Sequence, residues 1–147
     1  MEPDAKIKPN VKQAVPFLSV TEMEASLRFY VDCLGCEMTK KWEDDGKLRW
    51  CRLEIGNAAL MLQEYRTAED DSWMPEGKVG EGVSICFLCE DALAIFHQAR
   101  SRGIDASKPF VGNGMWVTTM FDPDGYRLDF ESLTDVPEDT VYSEHEN

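Results

Sequence analysis

The sequence predicts an α+β fold made of two tandem β-α-β-β-β units. Three observations carry that expectation. The segment from Val20 to Gly35 aligns without a gap on Leu88 to Gly103, an offset of 68 residues. In both copies a strand-like stretch gives way to helical periodicity, which then closes on a glycine, Gly35 or Gly103. The turn Glu54-Ile-Gly-Asn57 falls on Asp122-Pro-Asp-Gly125 at the same offset. A chain built as two copies of one small unit tends to have a pseudo-twofold axis, and a cleft between copies is a natural ligand site.

Residues 15–20 read as the first strand. Thr21, with Glu24 three residues on, matches a capping box. Met23, Leu27, Tyr30 and Val31 then recur at helical spacing. Strands are expected over 38–42, 48–55 and 58–65, with turns at Asp44-Asp-Gly46 and Gly56-Asn57. The second unit repeats the order: a strand over 83–88, a helix over 91–102, and strands over 106–110, 115–121 and 126–132. Its turns are Val111 to Gly114 and Asp122 to Gly125. Module 1 is thus 15–65 and module 2 is 83–132, in one domain over 14–132. The stretch 66–82 is acidic, with Pro75 and three glycines, and reads as a mobile loop whose Trp73 and Met74 can fold over a cleft. Residues 1–13 and 133–147 are expected as flexible termini.

The 147 residues suffice for one domain with a real core, and 43% hydrophobic with 29% charged is ordinary globular composition. No apolar run approaches the ~20 residues of a membrane span, and the first residues have no signal-like stretch. A cytoplasmic location is the default expectation. The net charge of −13 argues against nucleic acid, which needs a basic patch, and is compatible with a cationic ligand. Two Cys-x-x-Cys pairs, Cys33/Cys36 and Cys86/Cys89, invite a zinc reading. Their context argues against it. Cys86 and Cys89 lie in a strand-like run, where residues three apart point to opposite faces, and Cys33 and Cys36 flank a helix end.

The phrase Glu24-Ala-Ser-Leu-Arg-Phe-Tyr30 with Leu34-Gly35, and Asp122-Pro-Asp-Gly-Tyr-Arg-Leu-Asp129, resemble the vicinal oxygen chelate superfamily. That group contains glyoxalase I, extradiol dioxygenases, and fosfomycin and bleomycin resistance proteins. The resemblance covers residues 14–132. It implies that the eight strands form a curved mixed sheet, with the helices outside and a central cavity. It also implies a homodimer with sites formed between subunits.

Metal-using members carry ligands at four positions, which the resemblance places at Val15, Met61, Val83 and Asp129 here. Three of these side chains cannot ligate a hard or borderline cation, so neither metal nor cofactor is expected. Of two histidines, His97 lies in the second helix and His145 in the tail, which argues against a facial triad. Strand alternation groups Phe17 with Val15, Gln63 with Met61, Ile85 and Phe87 with Val83, and Arg127 and Glu131 with Asp129. Trp50 and Arg52 from the third strand, and Trp116 and Thr118 from the strand that repeats it, are expected to face inward, with Trp50 falling on Thr118. Together these describe an apolar, aromatic-lined concavity with a few polar groups.

The favoured function is metal-free binding of a small organic molecule, cationic and aromatic, as in bleomycin resistance proteins. Two alternatives stand beside it. One is a glyoxalase-like lyase using Asp129 with Gln63, Glu54 or Glu131. The other is a non-catalytic scaffold whose cavity is filled by side chains.

Overall fold

The computed structural model describes residues 6–64 and 75–144. The first unit comprises β1 (Phe17–Val20), α1 (Met23–Leu27) running into a π-helical turn (Arg28–Cys33), β2 (Glu37–Asp44), β3 (Lys47–Ile55) and β4 (Ala58–Glu64). The second comprises β5 (Ser84–Leu88), α2 (Ala92–Ser101), β6 (Phe110–Gly112), β7 (Met115–Phe121) and β8 (Arg127–Leu133). The eight strands form two four-stranded mixed sheets, ordered β1-β4-β3-β2 and β5-β8-β7-β6. In each, the first strand pairs parallel with the fourth, because the helix between them returns the chain in the same direction.

Each helix buries one stripe. Met23, Ser26, Phe29 and Tyr30 are buried in the first, and Ala92, Phe96 and Ala99 in the second. These meet Leu18, Val20, Leu60, Leu62, Met120, Leu128 and Phe130 in a core common to both units. Full burial of each large apolar side chain contributes about 1.5–3 kcal/mol before entropy is counted.

The helix starts are capped from across the sheet. Met23 N–H donates to Glu64 Oε2 at 2.7 Å, and Ala92 N–H donates to Ser132 Oγ at 2.8 Å. Glu64 and Ser132 are 68 apart, so the repeat preserves the device while changing its chemistry. The expected Thr21 capping box is not formed. Glu22 occupies the cap position without a side-chain bond, and the Thr21 N–H and hydroxyl both donate to Asp124 Oδ1.

The offset between units is not constant. Met23 and Ala92, the first helical residues, are 69 apart, whereas Gly35 and Gly103, both at φ near +86, are 68 apart. The first helix therefore holds one extra residue, and its π-helical turn absorbs it. A second extra residue sits in β3. Glu43 pairs with Leu48 and Trp42 with Trp50, leaving Arg49 as a bulge. The longer loop between β7 and β8 restores the count, since Phe121 pairs with Arg127 while Ile55 pairs with Ala58. One residue of register reverses which face a strand side chain occupies, and this decides the composition of the site.

Two other expectations change. The sixth strand forms over Phe110–Gly112 rather than 106–110, because Pro109 has no N–H to give a ladder. The tail beyond Leu133 is docked as far as it is described. Val111 N–H donates to Thr140 O, Asp139 N–H to Val111 O, and Tyr142 N–H to Pro109 O, covering the open edge of β6. Glu138 accepts the N–H groups of Asn113 and Gly114 at 3.0 and 2.7 Å. Trp73, Met74 and His145 lie outside the described residues. No helix among those described is long and apolar enough to cross a membrane.

Candidate functional site

The strand pairings settle which side chains share a face. On the first sheet, Phe17, Met61, Arg52 and Lys40 form one cross-strand row. Ser19, Gln63, Trp50 and Trp42 form the next. The five residues expected there, Phe17, Trp50, Arg52, Met61 and Gln63, thus stand together. Arg52 donates to Gln13 Oε1 at 3.3 Å and pairs with Glu54 at 3.5 Å.

On the second sheet, Arg127 lies between Ser84 and Phe121, Asp129 between Cys86 and Thr119, and Glu131 between Leu88 and Val117. Arg127, Asp129 and Glu131 share this face. Ile85 and Trp116 do not. Ile85 pairs with Leu128 and Trp116 with Ser132, on the side that packs against the helices. Thr118 is on that side too, fully buried, and its hydroxyl donates to Ala92 O at 2.7 Å. The 69-residue offset at β5 and the unmatched Arg49 bulge cause both reversals. For the same reason Val83 precedes β5, and Ser84 takes the place opposite Val15.

Asp129 is nearly buried and well supplied with donors. Thr119 Oγ1 donates to its Oδ1 at 2.5 Å, Arg127 Nε to its Oδ2 at 2.9 Å, and the Ser84 hydroxyl also to Oδ2. Burial pushes its pKa up, but the bonds from Arg127, Ser84 and Thr119 outweigh that and hold it below the ordinary 3.8. Beside it, the Cys86 thiol donates to Glu131 Oε2. Desolvation, then Glu131, raise that thiol to about 12, so it stays protonated at neutral pH.

The four family metal positions do not fit a metal. Val15 and Met61 offer no suitable donor, Ser84 offers a neutral hydroxyl, and Asp129 is already engaged. Among the described residues no group of three or more His, Cys, Asp or Glu could hold a metal ion.

Where the free edges of β1 and β5 approach, a cavity of about 1120 Å³ opens. Phe17 and Leu18 line it from β1, Ser84 to Cys89 along β5, and Ile95 from α2. Phe87 and Phe130, stacked at 4.8 Å, form part of its wall. An adjoining cavity of about 400 Å³ lies under the loop Lys78 to Val83 and reaches Asp129. Arg127, Ser84, Val83 and Gly80 line both. Gly80 is at φ +74, and a Cβ there would stand 3.1 Å from the Tyr126 ring, so this wall depends on glycine.

Of the ten residues expected to bind ligand, Phe17, Ile85 and Arg127 line the larger cavity, and Arg127 and Asp129 the smaller. Trp50, Arg52, Met61 and Gln63 lie on their own sheet face outside both linings, and on the second sheet Glu131 and Trp116, on opposite faces, also lie outside them. Alternation missed Ser84, Cys86, Phe130 and Ile95. The first two follow from anchoring the repeat on the helix caps Glu22 and Asp91 instead of on Glu90. Ile95 and Phe130 carry no local signal.

Paired βαβββ modules with a cleft between their parallel edge strands define the class of protein. The chain belongs to the glyoxalase/bleomycin resistance protein/dioxygenase superfamily, whose sequence profile matches residues 12–130. No curated protein sequence matches it. Solved structures share the fold. TnmS3, an antibiotic binding protein from Streptomyces sp. CB03234, is 18% identical with a TM-score of 0.63, covering 86% of this chain and all of its own. TioX from Micromonospora sp. ML1 is 16% identical with a TM-score of 0.64, covering 84% of this chain and 100% of its own. A glyoxalase/bleomycin resistance protein/dioxygenase from Nocardioides is 16% identical with a TM-score of 0.63, covering 92% and 93%.

Proposed function

We propose that the protein is a metal-free binding protein that sequesters a small organic molecule with a flat, apolar body. The observation that carries this reading is the 1120 Å³ cavity, large enough for a drug-sized ligand and walled by Phe17, Phe87, Phe130 and Ile95. An antibiotic binding protein among the structural neighbours supports a sequestering role. The cationic group expected from the acidic composition loses its main anchor, because Asp129 is satisfied by its own chain. We include a homodimer in the proposal. Val83 and Leu88 are 62% and 75% exposed beside a free strand edge, and a second copy can cover both. Five free cysteines support a reducing, cytoplasmic setting.

The test is a thermal-shift panel of planar antibiotics, bleomycin-type compounds included, run on protein before and after dialysis against chelator. Binding should raise the melting temperature equally in both samples. A shift that needs added metal would return the lyase reading, and no shift from any compound would leave the cavity without a function. Sedimentation at micromolar concentration tests the dimer.

A further inference from the structure

We propose that Arg127 recognises an acceptor oxygen on the ligand, so that the cavity takes an aromatic molecule bearing a carbonyl, phenolate or acidic oxygen rather than a cation. The inference rests on the binding function above and names the chemical class of its ligand. Arg127 is the one charged side chain among the described residues that line the larger cavity, and it stands where the two cavities join. Asp129 engages only its Nε, at 2.9 Å. Among the described residues Nη1 and Nη2 remain as donors in a planar fork, the geometry that matches oxygen acceptors.

Asp129 and Glu131, the carboxylates expected to attract a cation, are occupied, and Glu81 lines only the smaller cavity, together with Lys78. Asp129 accepts from Ser84, Thr119 and Arg127, and Glu131, which lines neither cavity, accepts the Cys86 thiol. The net charge of −13 opposes anions at a distance. Screening limits that field to roughly 8 Å at physiological salt, whereas the Arg127 contact is direct.

The experiment is fluorescence titration of the full chain with three flat probes. These are 8-anilinonaphthalene-1-sulfonate, its neutral parent N-phenyl-1-naphthylamine, and the cation 9-aminoacridine. The sulfonate should bind about tenfold tighter than the other two, as one hydrogen bond to a charged group allows. Arg127→Gln should bring the ratio of sulfonate to neutral parent near one. Ile95→Trp, which shrinks the cavity, should weaken all three. Equal affinities in the unmodified protein, a ratio unchanged in Arg127→Gln, or tightest binding of the acridine would overturn the role of Arg127 and leave the cavity reading standing. No binding, or binding untouched by Ile95→Trp, would overturn both.

Discussion

The Tyr30 hydroxyl donates a 2.7 Å hydrogen bond to Asp122 Oδ2, joining residues 92 positions apart and closing the first unit on the second. Tyr30 is fully buried, and Asp122 is 4% exposed. Asp122 Oδ1 accepts the N–H groups of Asp124, Gly125 and Tyr126, which folds its loop. That loop then holds the first unit twice more, through Asp124 on Thr21 and the Tyr126 hydroxyl on Ser19 O. The two sequence signatures, Phe29-Tyr30 and Asp122-Pro-Asp-Gly125, are thus parts of one clasp. The clasp lies at the end of β1 and along the first helix, and ties both to the loop between β7 and β8.

Removing the donor leaves Asp122 Oδ2 buried without that partner. Tyr30→Phe should destabilise the protein by about 1–3 kcal/mol, measured by urea unfolding. Combined with Asp122→Asn, the loss should fall short of the sum of the single changes. Full additivity would show that the two groups do not interact.

Asp129 gives a pH dependence of stability. Its folded pKa lies below 3.8, so its contribution is complete at neutral pH and is lost as pH falls from about that value through the folded pKa. Asp129→Asn should lower stability at pH 7 by about 1–3 kcal/mol and flatten the slope below pH 4. Desolvation raises Asp122, so its effect has the opposite sign: stability it contributes in acid is lost as pH rises through its folded pKa. An acid limb as steep in Asp129→Asn as in the unmodified chain would contradict the assignment.

The two cross-sheet caps predict paired costs. Glu64→Ala and Ser132→Ala each remove the partner of a helical N–H and should cost about 0.5–2 kcal/mol. Glu64→Ala should be the worse, because Arg49 and Lys47 also lose their ion-pair partner. Thr21→Ala should leave the cap intact, acting only through Asp124. Hydrogen exchange at Met23 and Ala92 reads the caps directly.

The tail supports the edge of β6. Tyr142 donates its N–H to Pro109 O, and its ring lies against Phe96, His97 and Trp116. Truncation after Thr134 should lower the melting temperature and promote self-association through the uncovered edge. A chain equally stable and equally soluble without those residues would show that the docked tail contributes nothing.

The number and order of elements, the glycines closing both helices and the Asp-Gly and Asn-Gly turns were legible from sequence. Each depends on local chemistry: periodicity, left-handed backbone, or a missing N–H. The face holding Phe17, Met61, Gln63, Trp50 and Arg52 was legible for the same reason, since alternation runs true within paired strands. Tertiary structure decided the rest through single residues of register. The π-helical turn, the Arg49 bulge and the longer β7–β8 loop each shift the repeat by one. A shift of one is almost invisible in a sequence alignment, yet it turned Ile85 and Trp116 toward the helices and brought Ser84, Cys86 and Thr119 to Asp129. Asp129 was recognisable as the one competent ligand position, but its saturation was not, because its donors come from three strands. Which carboxylate is free and which arginine meets the cavity are properties of strands brought side by side, and no local pattern records them.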